Sequence, residues 1–279
     1  MRLARVTKDG KIGLAAKSED KVTIAYGEDV ADLDSHIAAG TLAEAGAKAA
    51  AGESVDEASL TFLPPVRRPS KIICMGLNYR DHAEEAGLGI PEFPVLFARF
   101  PSSLIGHGAP IVLPKVSEQL DWEAELVAVL SRGGKNIAQA DALSHVAGYS
   151  VFNDASIRDY QLRTPQWTAG KNFDDTGAFG PWLVTPDEVP AGASGLKIEC
   201  RLNGQVMQSS NTGNLIFDVA NTIALLSSFM TLEAGDVLVM GTPGGVGVVR
   251  DPQVWMKAGD VCEVEIEGIG LLSNPIVAE

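Results

Sequence analysis

Cysteine is scarce in this chain of 279 residues, and the few thiols are not arranged for metal binding or cross-linking. The three cysteines, Cys74, Cys200 and Cys262, lie far apart and form no C-x-x-C pair. Each lies in an apolar or alternating stretch of sequence. We therefore expect reduced, buried thiols rather than a disulfide framework.

Basic residues are also few, because 22 Lys and Arg stand against 36 Asp and Glu, a formal net charge of -14. A nucleic-acid surface needs a basic patch, so this balance argues against one. Solvated acidic faces explain most of the charge. The charge does not identify the substrate, since a few Lys or Arg in a pocket outweigh the global sum.

The sequence has no long hydrophobic run. No segment approaches the roughly 18–20 apolar residues that cross a bilayer, and the first ten residues, MRLARVTKDG, contain no apolar signal core. We therefore expect a cytoplasmic protein with no membrane part. With 46% hydrophobic and 21% charged residues, the composition is that of an ordinary globular protein.

The pattern of turns and prolines predicts a small N-terminal domain over residues 1–66 and a main domain over 70–279. Short strands are predicted over 3–6, 12–15 and 22–26, and an Ala-rich helix over 32–51 that is weakened at its glycines. The run Pro64-Pro65-Val-Arg-Arg-Pro69 is stiff and extended, so it marks the boundary.

The main domain is predicted to be mostly strand with scattered helices, which is an α+β arrangement. Because strands and helices do not alternate regularly, a mixed or antiparallel sheet is favoured over a parallel one. The predicted strands are 71–75, 126–130, 146–152, 196–202, 237–240 and 261–266, and the predicted helices are 80–86, 156–163 and 216–229.

Three carboxylates from two segments are the strongest chemical signal. Glu123 and Glu125 precede an apolar run, so as residues two apart they should leave the same face of a strand. Asp154 follows in Asn153-Asp-Ala-Ser. Oxygen ligands of this kind suit Mg²⁺, which keeps positions open for water or substrate. The Glu-x-Glu pair alone is weak, because most such pairs are the solvated face of a strand.

Other side chains can supply acid–base or anion-binding chemistry. His82 and Glu85 are neighbours on a predicted helix, where a carboxylate fixes the imidazole tautomer so that the free nitrogen accepts a proton from water. A surface contact is the simpler alternative. Lys171 can steady an oxyanion or be merely exposed. The loop Gly241-Thr-Pro-Gly-Gly-Val-Gly247 is either an anion-binding nest with Thr242 or a structural turn.

Four segments, in order along residues 70–279, resemble the fumarylacetoacetate hydrolase superfamily. The match extends to a bacterial acylpyruvase and 2-hydroxyhepta-2,4-diene-1,7-dioate isomerase-like subgroup. The matching segments are Gly76-Leu-Asn-Tyr-Arg-Asp-His82 with Glu85, Asp121-Trp-Glu-Ala-Glu-Leu126, Asn153-Asp-Ala-Ser-Ile-Arg-Asp159 and Gly241-Thr-Pro-Gly-Gly-Val-Gly247.

The resemblance implies a mixed β-sheet roll or sandwich with a small N-terminal α/β appendage, assembled as a homodimer. It implies that Mg²⁺ or Mn²⁺ is bound by Glu123, Glu125 and Asp154. It implies His82, Glu85 and Lys171 as catalytic residues, and as substrate-binding residues Tyr79, Arg99, Arg158, Gln161 and Thr242. Arg99 departs from the family pattern, since many members have lysine there.

The expected reaction is hydrolysis of a carbon–carbon bond in a 2,4-dioxo acid of the acylpyruvate or fumarylpyruvate type. The products would be pyruvate and a carboxylic acid. Decarboxylation of oxaloacetate, or isomerisation of a 2-hydroxy-diene-dioate, is the alternative on the same site. A non-catalytic acid-binding module is the alternative from a different class.

Overall fold

The computed structural model describes residues 1–19, 21–80 and 92–279. His82 and Glu85 lie outside the described residues, as does most of the predicted helix 80–86. The helices of the described part are α1 Glu28–Ala31, α2 Leu33–Ala39, α3 Leu42–Ala50, α4 Gln139–Ala142, α5 Arg158–Gln161, α6 Thr168–Lys171 and α7 Val219–Phe229.

More of the described residues lie in strands than in helices. In chain order they are β1 Arg2–Lys8, β2 Lys11–Ser18, β3 Lys21–Tyr26, β4 Glu53–Val55, β5 Thr61–Phe62, β6 Ile72–Gly76, β7 Val95–Ala98, β8 Leu104–Ile105, β9 Ile111–Leu113, β10 Leu120–Asp121, β11 Ala124–Leu130, β12 Val146–Asp154, β13 Ser156–Ile157, β14 Gly177–Val184, β15 Lys197–Leu202, β16 Gln205–Asn211, β17 Val237–Val239, β18 Val261–Ile266 and β19 Gly270–Ala278. The predicted α+β class is confirmed.

The largest sheet in the described residues is mixed, with the order β4-β3-β2-β1-β14-β12-β11-β17-β6-β7. The β6–β17 pair is parallel, whereas β11 is antiparallel to both β12 and β17. Every residue of β11 and of β12 is buried. This explains why the sequence there is a continuous apolar run rather than an alternating one.

The two faces of β11 pack against different layers. Leu126, Ala128 and Leu130 join a core that includes the second sheet, whose order is β16-β15-β18-β19-β9. Val127 and Val129 join the core that includes α2 and α3. The fold is therefore a sheet sandwich with helices over part of the outer face.

The N-terminal strands extend the large sheet instead of forming a separate one. β1 pairs with β14, with Arg2 opposite Val184. The proline-rich stretch at 64–69, predicted to be a stiff and extended boundary, has no regular structure and consists mainly of bends. The sheet is nevertheless continuous on either side of that stretch.

Two predicted helices differ in the structure. The helix expected over 32–51 is divided into α2 and α3, because Gly40 ends α2 in the left-handed conformation with φ 70°. The helix expected over 156–163 is only α5, since Ser156 and Ile157 pair with β10 as strand β13. Among the described residues, none of the helices has the length and apolarity of a membrane span.

Candidate metal and substrate site

Glu123, Glu125 and Asp154 lie together where β11 begins and the neighbouring β12 ends. Ala124 is opposite Asn153 in the antiparallel pair, and the Asp154 amide donates to the Glu123 carbonyl at 2.9 Å. One carboxylate oxygen of each residue lies within 4.8 Å of the other two, and all three side chains are buried. The sequence prediction that these carboxylates share one place is confirmed.

Three cations surround this cluster. Lys171 on α6 places Nζ 2.7 Å from Glu123 Oε2 and 2.6 Å from Asp154 Oδ2. Arg99 pairs through Nε with Asp154 Oδ1 at 2.5 Å. Arg158 on α5 places Nη1 2.7 Å from Glu123 Oε1. Asp154 and Glu123 therefore each have two cationic partners.

The protonation preferences of the two glutamates are opposite. Burial disfavours the charge of Glu123, but Lys171 and Arg158 outweigh it and lower its pKa to about 2. Burial, reinforced by Asp154 and Glu123, raises the pKa of Glu125 well above its usual value. Burial also opposes the charge of Lys171, yet Asp154 and Glu123 raise its pKa. Nearby positive charge therefore stabilises the Glu125 carboxylate less than it stabilises the Glu123 carboxylate.

The donor set fits a hard divalent cation. It consists of carboxylate oxygens from three residues, grouped closely enough to share one ion, and it adjoins an open cavity. The raised pKa of Glu125 indicates that a further cation would stabilise its charged form. The side chains that would bind the ion are Glu123, Glu125 and Asp154.

A cavity of about 180 Å³ opens beside the carboxylates. Charged and polar groups form one part of its lining, and apolar side chains form the rest. The lining residues are Met75, Gly76, Leu77, Phe97, Glu123, Glu125, Arg158, Gln161, Trp167, Lys171, Thr242, Val246, Val248 and Val249.

Arg158 is held firmly at the cavity wall. Its Nε donates to Asp121 Oδ2 at 2.7 Å, and its Nη1 donates to Gln161 Oε1 at 2.8 Å. Its Nη2 is buried and has no partner among the described residues. A buried donor of this kind costs free energy unless a ligand acceptor satisfies it.

The glycine-rich loop contributes a wall of the cavity. Gly241 has φ 90°, a conformation that disfavours a side chain, and its amide donates to Glu125 Oε2. The Thr242 hydroxyl accepts a hydrogen bond from Gln208 Nε2 at 2.8 Å. The loop is therefore tied to a metal-site carboxylate and is more than a chain reversal.

A model of the fumarylacetoacetate (FAA) hydrolase C-terminal family matches residues 71–277, about three quarters of the chain. The chain belongs to this family. Relatives with high sequence identity support the same family assignment. The mitochondrial oxaloacetate tautomerase Fahd2a of Rattus norvegicus is 45% identical over 224 residues, which are 80% of this chain and 71% of the rat protein.

Solved structures of family members cover the whole of this chain. Fumarylacetoacetate hydrolase from Exiguobacterium antarcticum has a TM-score of 0.90 at 34% identity, covering 100% of both chains. The 5-carboxymethyl-2-hydroxymuconate delta-isomerase of Mycobacterium smegmatis has 0.79 at 31%, covering 99% of that chain. Maleylpyruvate hydrolase from Sphingobium sp. SYK-6 has 0.81 at 26%, covering 100%. The family relationship includes the N-terminal strands.

The substrate-binding residues implied by the family resemblance lie in two different settings. Arg158, Gln161, Thr242 and the catalytic candidate Lys171 line the cavity. Tyr79 is fully buried and forms a bridge with Leu215.

Arg99 requires a correction, because it does not line the cavity. Its side chain lies behind Asp154, where Nη2 donates to the Ala155 carbonyl at 2.7 Å. Its guanidinium is fully buried. Arg99 therefore supports a metal-site carboxylate and has no surface to offer a substrate.

Sequence reasoning missed three residues that position the groups of the candidate site. Asp121 bonds both Arg158 and the glycine-rich loop. Gln208 joins that loop to the Ala124 amide of β11. Asn78 donates to the carbonyls of Met240 and Phe217. Asp121 and Asn78 stand inside matched family segments, which was the available signal, whereas Gln208 lies outside all of them.

Proposed function

We propose that this chain is a divalent-metal-dependent tautomerase that interconverts the keto and enol forms of a short 2-oxo dicarboxylic acid such as oxaloacetate. The observation that carries the proposal is the combination of a buried three-carboxylate site with a small cavity lined by Arg158, whose buried Nη2 has no partner among the described residues. The rat relative that is 45% identical is an oxaloacetate tautomerase, which supports the same assignment.

The size of the cavity favours a small substrate. Sites for drug-sized ligands have volumes of roughly 300–1,000 Å³, whereas this cavity has about 180 Å³. An acid with few atoms beyond its 2-oxo carboxylate fits that space. A large acyl group does not.

The charge of the cavity favours an anion with two charged ends. Glu123, Glu125 and Asp154 would hold the divalent cation, which when bound supplies Lewis acidity to a substrate oxygen. Arg158 offers Nη2 to a second carboxylate, a charge-assisted hydrogen bond that replaces none of its existing partners.

Tautomerisation moves one proton between C3 and the 2-oxygen, so negative charge develops on that oxygen when C3 loses its proton. The Lys171 ammonium lies among the carboxylates, held in a buried position at 2.6–2.7 Å from two of them. A fixed cation in a dry site stabilises such a developing charge more than solvent does. Lys171 is therefore assigned to charge stabilisation.

A second candidate is hydrolysis of an acylpyruvate. It is favoured by the segment Gly76-Leu-Asn-Tyr-Arg-Asp-His82 with Glu85, which the resemblance interprets as a water-activating dyad, and by the similarity to maleylpyruvate hydrolase. Water activation is dispensable for tautomerisation. Substitution of His82 by alanine is therefore expected to abolish a hydrolase but to leave the metal-dependent binding of an oxalate-like inhibitor.

The deciding experiment follows the products of two substrates in the presence of Mg²⁺ or Mn²⁺, and again with EDTA. Oxaloacetate enol should convert to the keto form faster than the metal-only background, without release of carbon dioxide. Acetylpyruvate should remain uncleaved. Formation of pyruvate and acetate would establish the hydrolase instead, and formation of pyruvate and carbon dioxide a decarboxylase.

Glu123→Gln provides the matched control, because it keeps the size of the side chain and removes one ligand charge. It should lose the metal-dependent rate. If neither substrate changes above background in the wild type, and no metal binds by calorimetry, the chain is a binding module and the tautomerase proposal is wrong.

A further inference from the structure

Two aromatic side chains form part of the cavity wall. Phe97 on β7 lies with its ring centre 4.9 Å from Lys171 Nζ. Trp167 follows, with its ring centre 5.6 Å from that of Phe97. Both line the cavity, and Val246, Val248 and Val249 also contribute apolar lining. A substrate anchored at the charged end therefore extends into an apolar, aromatic compartment.

The position of the Trp167 indole depends on residue 76 being a glycine, which has no side chain. Gly76, the last residue of β6, has an ordinary strand conformation. A Cβ added there would lie 2.3 Å from Trp167 Cζ3 and 2.8 Å from Cη2. Contacts this short do not occur in proteins, so any other residue at position 76 would displace the indole. Glycine is present because the indole lies against its backbone.

We propose that Trp167, seated against Gly76, is the specificity-determining residue that restricts the site to short, unbranched 2-oxo acids. The indole fills space that an aromatic or branched substituent at C3 would need. For its substrate class this inference rests on the proposed function. It adds the residue that excludes larger members of the class.

The first test compares oxaloacetate with phenylpyruvate, a 2-oxo acid with an aromatic substituent at C3. The Trp167→Ala variant should gain at least about tenfold in the ratio of kcat/KM for phenylpyruvate over oxaloacetate, since filling or emptying part of an apolar pocket changes discrimination by 10–200-fold. An unchanged ratio would overturn the proposal. Trp255→Ala is the matched control, because Trp255 is equally half-buried but does not line the cavity.

The second test examines the seat itself by a double-mutant cycle. Gly76→Ala should drive the indole into the cavity and lower kcat/KM for oxaloacetate by about tenfold or more. In a Trp167→Ala background the same change should have a clearly smaller effect, because the added methyl group then meets only Val95 Cβ, at 3.2 Å. Equal losses of kcat/KM in the two backgrounds would show that glycine is needed at position 76 for the backbone conformation and not to accommodate Trp167.

A binding measurement separates this inference from the proposed function. Calorimetry with Mg²⁺ compares oxamate with N-phenyloxamate, which share the 2-oxo acid core and differ in size. If the wild type lacks tautomerase activity, the function proposal fails, yet Trp167→Ala should still bind N-phenyloxamate at least tenfold more tightly relative to oxamate. If activity is present but both binding ratios are equal, the size restriction is wrong and the function stands.

Discussion

Asp121 accepts hydrogen bonds from four donors around the cavity. Its Oδ1 accepts from the Trp122 amide at 2.8 Å and the Gly247 amide at 2.7 Å. Its Oδ2 accepts from the Val248 amide at 3.0 Å and Arg158 Nε at 2.7 Å. One carboxylate thus holds both Arg158, the proposed substrate-binding arginine, and the glycine-rich loop that also lines the cavity.

Asp121→Asn should therefore weaken substrate binding more than turnover. The amide places an N–H donor against existing donors and removes the charge that opposes Arg158, a loss of about 1–3 kcal/mol. We expect KM for oxaloacetate to rise about tenfold or more, with kcat changed less. Steady-state kinetics measure both, and Asp141→Asn, at an exposed position, should alter neither. A fall in kcat at constant KM would contradict this role.

Glu123 makes a pH-dependent contribution to stability. Its folded-state pKa is about 2, below the ordinary value of 4.5, so the stabilisation is present above pH 4.5 and is lost as the pH falls toward 2. At about 1.4 kcal/mol per pH unit, the shift is on the order of 3 kcal/mol. In chelator, Glu123→Gln should lower the free energy of unfolding by about that much more at pH 6 than at pH 2.

Urea titrations at the two pH values provide this comparison. Glu118→Gln is the control, because it removes an exposed carboxylate close to Glu123 in the sequence. It should show no comparable difference. An equal cost for Glu123→Gln at both pH values would mean that the Lys171 and Arg158 pairs contribute nothing net.

At the scale of elements, the site depends on how closely β14 approaches β12. Gly177 is the register partner of Asp154, and a Cβ at position 177 would lie 2.1 Å from Arg99 Nη1. Arg99 in turn pairs with Asp154. The absence of a side chain at Gly177 therefore leaves room for the buried Arg99 guanidinium beside Asp154.

Gly177→Ala should displace Arg99 and weaken metal binding about tenfold, the usual cost of disturbing a group behind a metal ligand. It should also cost roughly 1–3 kcal/mol of stability through overpacking. Calorimetry with Mn²⁺ and thermal unfolding measure the two effects. In an Arg99→Lys background, where Nη1 is absent, the same change should cost less; an undiminished cost would exclude Arg99 as the residue displaced.

Local patterns were sufficient for some elements and for part of the site. The spacing of Glu123 and Glu125 predicts two neighbouring carboxylates, and the structure brings them together, although β11 begins at Ala124 and only Glu125 lies within it. The turn between β1 and β2 at Asp9 and Gly10, with φ 50° and 74°, likewise depends on residues adjacent in the sequence, since Asp-Gly is a typical hairpin turn.

Contacts between distant segments were not predictable. The family resemblance implied a substrate contact for Arg99, and nothing in the sequence near Arg99 shows that Asp154 lies against its guanidinium. Likewise Ser156 and Ile157 have a sequence compatible with helix, but pairing with β10, far back in the chain, makes them a strand. In both cases the deciding contact is with a distant segment, which the local sequence does not show.

At the scale of the whole molecule, a bound divalent cation should stabilise the native fold. The three candidate ligands lie on or directly beside the paired strands β11 and β12 in the middle of the large sheet, so we expect the site to exist only when that sheet is formed. Ligand binding to the native state alone contributes about 2.7 kcal/mol at one hundred times Kd. EDTA should therefore lower Tm by several degrees, and added Mn²⁺ should restore it.

Glu125→Gln should reduce this metal-dependent shift in Tm, since it removes one ligand charge while keeping side-chain volume. Thermal scans of both proteins with and without Mn²⁺ make the comparison. A shift of equal size in the variant would place the cation elsewhere in the molecule. The homodimer and the cytoplasmic location expected from the sequence remain predictions, and sedimentation should give twice the 29.4 kDa chain mass if the first is right.

The pairing of Arg2 with Val184 limits how the chain can be shortened. A fragment starting at residue 71, where the family match begins, would keep the metal-site strands but strip β1 from β14. The backbone amide and carbonyl groups of β14 that are exposed in this way could then form hydrogen bonds with other chains. Trimming to the matched family segment is thus expected to yield a less soluble protein.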